Sequence, residues 1–310
     1  MENKIMRKKW YSLLAVGCSA SLLLLSGCAD SSKTTTSAPA GSDSKIKIVA
    51  AENFYGEVAK AVGGNRVEVT SILDNPNVDP HDYEPTAETS KLVNDAQVIL
   101  YNGAGYDAWM DKVIKSSSSA SSKSAIQVAE DIMGVKEGEN EHVWYDPTTM
   151  PKLAIKLADD LSKLDPTQKE AFNKRAQTYI KSLDPLKEKV QKLKQESATY
   201  ISVSEPIFDY MAQALNLKIN DSKFARAIDE GTDPAPSDIA ALQNDLNGKK
   251  VKLLVHNTQN STPVVDNIVK LANSNSIPIV KVTETEPKGK NYLQWMVDQL
   301  DDVAKAIDSK

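Results

Sequence analysis

Cysteine is almost missing from these 310 residues: Cys18 and Cys28 are the only two, and both lie near the start of the chain. A disulfide framework or a cysteine-rich metal site for the bulk of the protein is therefore excluded. Histidine is as scarce, at three residues, so His81, His142 and His256 each have to be accounted for individually. No phosphate-binding glycine loop, internal repeat, coiled-coil heptad or HExxH helix motif occurs, which removes the usual signatures of nucleotide binding and of zinc hydrolysis. Past the first 25 residues no stretch is apolar enough to span a bilayer. The net charge of −5 makes nucleic acid a poor partner.

What is present begins with Lys4, Arg7, Lys8 and Lys9 ahead of an apolar stretch over 10–25, the charged-then-apolar order of a secretory leader. It ends in Leu25-Ser26-Gly27-Cys28. That ending resembles a lipobox, at which bacterial lipoproteins are diacylated on the cysteine and cut just before it. The expectation is a lipoprotein signal peptide over 1–27, lipidation at Cys28, and anchoring to the outer face of the bacterial cell membrane. An uncleaved transmembrane anchor is the alternative, but the run falls short of the ~20 residues a span needs. Cys18 would leave with the leader. Residues 28–44 are largely Ser, Thr, Ala and Gly, with too little to bury to offset their ordering entropy, and read as a flexible tether. The four basic residues against Glu2 give the leader +3, so the mature chain carries about −8.

The remainder is comfortable for two domains. β-branched runs alternate with amphipathic ones: strands are expected at 46–49, 67–73, 98–101 and near 126–128, with helices at 54–62, 87–94 and 106–114. That is the rhythm of a parallel sheet. Residues 147–197 read as helical throughout, with Phe172, Ala176, Tyr179, Ile180 and Leu183 at steps of three and four. Pro166 suits a helix start, and Pro185 should kink or break the pattern. The strand-helix rhythm resumes with strands at 200–203, 251–255 and 277–282 and helices at 207–215, 236–246, 263–272 and 292–307. The predicted fold class is α/β: a lobe over 45–164, a helical connector over 165–197 and a second lobe over 198–310. Each lobe is a parallel sheet flanked by helices, with the binding cleft between them. The serine-rich loop over 115–124 carries no inferable role.

His81 and His142 lie in proline-bounded turns, Asp79-Pro80-His81-Asp82-Tyr83-Glu84-Pro85 and His142-Val143-Trp144-Tyr145-Asp146-Pro147. Prolines restrict the backbone there and suit a residue that must be aimed. Glu205 and Glu284 each follow a predicted strand closely, and ligands of open α/β sheets gather at the carboxyl ends of strands. His81 also follows a strand. Two neutral imidazoles and two carboxylates would cancel the charge of a divalent cation. Taken singly, a loop histidine or an exposed glutamate is more often just solvated.

Taken together, these segments resemble the zinc- and manganese-binding solute receptors of bacterial ABC importers over nearly the whole mature chain. The two histidine turns look like the family's first two ligand loops. Ser204-Glu205-Pro206-Ile207-Phe208-Asp209-Tyr210 is similar to the third, and Glu230-Gly231-Thr232-Asp233-Pro234-Ala235-Pro236 resembles a stretch before a helix of the second lobe. The resemblance implies metal ligation by His81, His142, Glu205 and a carboxylate after the last strand, where Glu284 is preferred for its nearness to the strand end and Glu286 is the alternative. His256 matches no family ligand and is read as structural or supporting the ligands. The resemblance further implies capture of a divalent metal as transported cargo, with no catalytic cofactor, by a monomer that delivers it to an ABC permease and its ATPase. Two carboxylates, and a serine loop where many zinc-specific relatives carry histidines, tilt the cargo toward manganese, with zinc close behind. A surface adhesin is the competing interaction reading. A metal-dependent hydrolase would need an open coordination position and a base.

Overall fold

The computed structural model describes residues 44–308 apart from positions 76, 77, 79, 82 and 118–122. The leader, Cys28 and all of the tether except Ser44 lie outside the described residues.

The first lobe is built from β1 (Ile46–Glu52), α1 (Asn53–Gly63), β2 (Val67–Leu73), α2 (Ala87–Asp95), β3 (Val98–Tyr101), α3 (Ala108–Ser116) and β4 (Ser124–Gln127). Its sheet runs in the order β2-β1-β3-β4, every pair parallel. β3 is Val-Ile-Leu-Tyr and buried at every position, as a strand covered by helices on both faces must be. α2 starts on Thr86, whose hydroxyl accepts from Thr89 N while the Thr89 side chain answers back to the Thr86 backbone. This reciprocal cap satisfies two otherwise orphaned donors.

α4 (Thr149–Leu164) buries Met150, Leu153, Ala154, Leu157, Ala158 and Leu161 along one stripe, the spacing of a helix with one face on a core. The expected connector is two helices, α5 (Lys169–Ser182) and α6 (Asp184–Leu193), with Pro185 in the first turn of α6. Proline lacks the N–H that would continue α5, so the break falls where the sequence placed it and no single long rod forms. Arg175 fastens α5 to the end of α1 by donating to the carbonyls of Val62 at 2.6 Å and Gly63 at 3.0 Å, two acceptors that a helix terminus leaves open.

The second lobe comprises β5 (Thr199–Val203), α7 (Asp209–Ala214), β6 (Leu217–Ile219), α8 (Ser222–Asp229), α9 (Pro236–Asn247), β7 (Leu254–Asn257), α10 (Pro263–Ser274), β8 (Ile279–Val282) and α11 (Tyr292–Asp308). Its sheet order, β6-β5-β7-β8, repeats the first lobe's winding, again all parallel. α5 packs on α1 and α4, whereas α6 packs on α11, so the connector is shared between the lobes. Among the features not read from sequence are β6, α8 and a π-helical turn over Val128–Met133. β7 also begins and ends later than expected.

One apolar cluster runs through both lobes and holds Ile48, Phe54, Trp144, Val203, Phe208, Tyr292 and Trp295. Phe54 of α1 stacks on Trp144 with centroids 5.3 Å apart and meets Trp295 of α11 at 5.8 Å. The Tyr292 hydroxyl donates to Trp144 O at 2.7 Å, and the Tyr145 hydroxyl reaches Thr283 O at 2.7 Å. Wide opening of the cleft would expose aromatic surface of about 150–250 Å² per ring, so this contact opposes a large hinge motion.

Candidate metal centre

In both sheets β1 and β5 are the points at which the winding reverses, and the loops leaving the carboxyl ends of the strands meet in one cleft, the usual ligand position of such sheets. An opening of about 450 Å³ there is lined by His81, Glu205, Asp229, Asn260 and Glu284.

His142 is wholly buried. Its backbone N donates to Asn140 Oδ1 at 2.9 Å and its Nδ1 lies 3.0 Å from the same oxygen. A carboxamide oxygen can only accept, so the proton sits on Nδ1 and Nε2 presents a bare lone pair. That Nε2 is buried with no hydrogen-bond partner and stands 3.9 Å from Asp229 Oδ1. Burial, then the neighbouring His81, hold the imidazole well below its ordinary pKa, so the ring is neutral. A neutral, oriented and desolvated nitrogen is a good metal donor.

His81, on the loop after β2, keeps a side chain one-third exposed, with Nε2 4.0 Å from Glu284 Oε2. Its ring meets Tyr106 edge-on at 4.8 Å. Tyr106 is aimed by the turn after β3: Asp107 accepts from the N–H groups of Asn102 at 2.7 Å and Gly103 at 2.8 Å, and Glu130 accepts from Ala104 at 2.7 Å. Gly103 has φ +78°, and a Cβ there would fall 2.0 Å from Glu130 Oε2, so only glycine allows this approach. Asp107 also touches Glu52 at the end of β1. Burial pushes Asp107 up to about 6, and burial followed by the charge of Asp107 pushes Glu52 well above its ordinary value, as expected of two carboxyls sharing a dry site.

The second lobe supplies buried Glu205 and Glu284. Asn257 Nδ2 donates to Glu205 Oε2 and also to Glu284 Oε1, the latter at 2.6 Å. Asn260 Nδ2 donates to Glu205 Oε1, and the Tyr106 hydroxyl lies 3.4 Å from Glu284 Oε2. One amide at the end of β7 thus ties together carboxylates from the ends of β5 and β8.

His81, Glu205 and Glu284 line one opening, and His142 Nε2 adjoins it through Asp229. Glu286 lies elsewhere. It lines a separate cavity of about 490 Å³ with Asn53, Glu57, Lys60, Ser71 and Asp74, and burial followed by the charge of Glu57 pushes it up to about 8. His256 sits within β7, in register with Lys281, and alternation turns it to the face opposite Asn257.

Several residues here were missed. Asp229 ends α8, and one ligand atom from each of His81, Glu141 and Asp229 lies within 4.8 Å of the others. Burial, then the charges of Glu141 and Glu205, push Asp229 up to about 8. Asn140, Asn257 and Asn260 were missed as well. For Asn257 a signal existed: the strand-end argument that found Glu205 applies to it, but β7 was expected to stop at Val255.

The family model described as "Zinc-uptake complex component A periplasmic" matches residues 48–306. The manganese ABC transporter substrate-binding lipoprotein PsaA of Streptococcus pneumoniae is 28% identical over 322 residues, covering 97% of this chain and 99% of that protein. The metal ABC transporter substrate-binding lipoprotein SloC of Streptococcus mutans is 28% identical over 321 residues, covering 96% and 99%. Among solved structures, a manganese-bound mutant of a periplasmic metal-binding protein from Candidatus Liberibacter asiaticus superposes with a TM-score of 0.70 at 18% identity, covering 85% of this chain and all of that one.

Proposed function

The chain belongs to the family of periplasmic zinc-uptake components, and from that premise we propose that it is the extracytoplasmic substrate-binding lipoprotein of a metal ABC importer. It captures one divalent transition metal, manganese in preference to zinc, and delivers it to a membrane permease driven by its ATPase. Relatives of this kind are binding proteins, and the chain is not an enzyme.

The observation that carries the reading is the bare, fully buried Nε2 of His142 in a cleft whose other lobe offers two buried carboxylates. An unpaired polar atom in a dry interior is costly unless something fills its position. With His81, the donor set is two nitrogens and at least two oxygens, and its two negative charges neutralise a divalent ion. Glu284, not Glu286, is the fourth ligand, because it shares the opening with His81 and Glu205. Carboxylate oxygens favour manganese relative to a three-histidine set, although zinc binds any such site more tightly in a tube.

Lipidation at Cys28 holds the monomer at the outer face of the cell membrane, on the tether over 28–44. The lobes over 45–164 and 198–310 close on the metal by small tilts, because their common aromatic core resists wider separation.

Uptake of radioactive manganese by manganese-starved cells is the test. Deleting this chain should abolish high-affinity uptake, and a wild-type copy should restore it. Undiminished manganese uptake together with loss of zinc uptake would make zinc the cargo, and no change in either would refute the transport role.

A further inference from the structure

Four ligands leave Asp229 without a role, although it occupies an unfavourable place. It is the last residue of α8, at the negative end of the helix dipole, where a carboxylate is disfavoured and a cation favoured. The nearest basic residue on its own helix compensates only in part: the Arg226 guanidinium is engaged elsewhere, donating to Glu230 at 2.6 Å and to Gly138 O at 2.9 Å. Yet the Asp229 side chain is only 8% exposed, with Oδ1 3.9 Å from the partnerless Nε2 of His142. Its carboxylate also lies within 4.8 Å of a ligand atom of His81. Donors around one ion at metal-ligand distances of about 2.0–2.2 Å are separated by about 2.8 Å at right angles and up to about 4.4 Å when opposite each other. The His142–Asp229 separation already falls in that range.

We propose that Asp229 is a fifth metal ligand, supplying an oxygen beside His142 that raises the coordination number above four and thereby selects manganese over zinc. This rests on the metal-receptor reading above. Zinc is satisfied by four tetrahedral ligands, so an added carboxylate contributes little to it, whereas manganese takes oxygen donors in larger shells. Glu141 lies close enough to Asp229 to reinforce the negative potential there.

Asp229→Asn removes the ionisable carboxylate while preserving the shape of the side chain at the end of α8, so the variant should fold. Wild type and variant are titrated in parallel with manganese alone and with zinc alone. The manganese Kd of the variant should rise about 10-fold or more, while its zinc Kd shifts by less than about threefold. An unchanged manganese Kd, or an equal loss for both metals, would overturn the assignment while leaving the receptor reading intact. A wild-type chain that binds neither metal would overturn both.

Discussion

Replacing His142 by alanine is expected to weaken metal binding by more than about 100-fold, since even the loss of a group that merely supports a ligand costs 10–100-fold. His142 is the donor most fully prepared for a metal. Asn140 fixes its tautomer, burial keeps it neutral, and Tyr106 and Trp144 confine the ring at 6.1 and 5.1 Å. Alanine also leaves a cavity, so the Tm of the metal-free variant must be recorded beside the titration against a chromophoric chelator. A folded variant that competes for metal like the wild type would remove His142 from the ligand set.

The second large effect separates two glutamates that stand two residues apart. Glu284→Gln should weaken binding by about 100-fold or more, because it removes a charge held in the cleft by Asn257 and leaves a poorer oxygen donor. Glu286→Gln should stay within about threefold of wild type, because its carboxyl lies in the other cavity beside Glu57. Its effect falls on stability instead. Glu286 is pushed up to about 8, so the folded chain holds its proton more tightly than the unfolded chain. That contribution is complete below about pH 4 and is lost as pH rises toward 8. Glutamine cannot ionise, so the variant should lose that part of the pH slope and be relatively more stable above pH 8 in thermal melts. The opposite pattern of metal affinities would make Glu286 the ligand.

The architecture was legible because buried parallel strands announce themselves as β-branched runs and their covering helices as stripes. β1 to β4 fall close to where the sequence placed them, and Pro185 marks the break between α5 and α6. Leu217–Ile219 escaped because three residues carry no readable alternation. Ser222–Asp229 escaped because two helical turns give too short a period. The same limits decided what was visible of the site. Glu205 and Glu284 stood out as acids directly after strands, and His81 and His142 as histidines in proline-bounded turns. Asp229 is one acid among many, at the end of a helix that was not foreseen. Asn257 acts through an amide that touches two carboxylates distant in sequence, a relation only the packing of β5, β7 and β8 creates. The lobe-spanning contact of Phe54, Trp144 and Trp295 was hidden for the same reason.

Metal content is the most direct test of the central claim. The soluble protein starting after Cys28, purified, loaded with manganese or zinc in separate samples and freed of excess, is analysed by inductively coupled plasma mass spectrometry. One equivalent of metal per chain is expected with each ion, because both can occupy a site of two imidazoles and two or more carboxylates. Less than about a tenth of an equivalent of both would contradict the assignment of this cleft as a metal receptor.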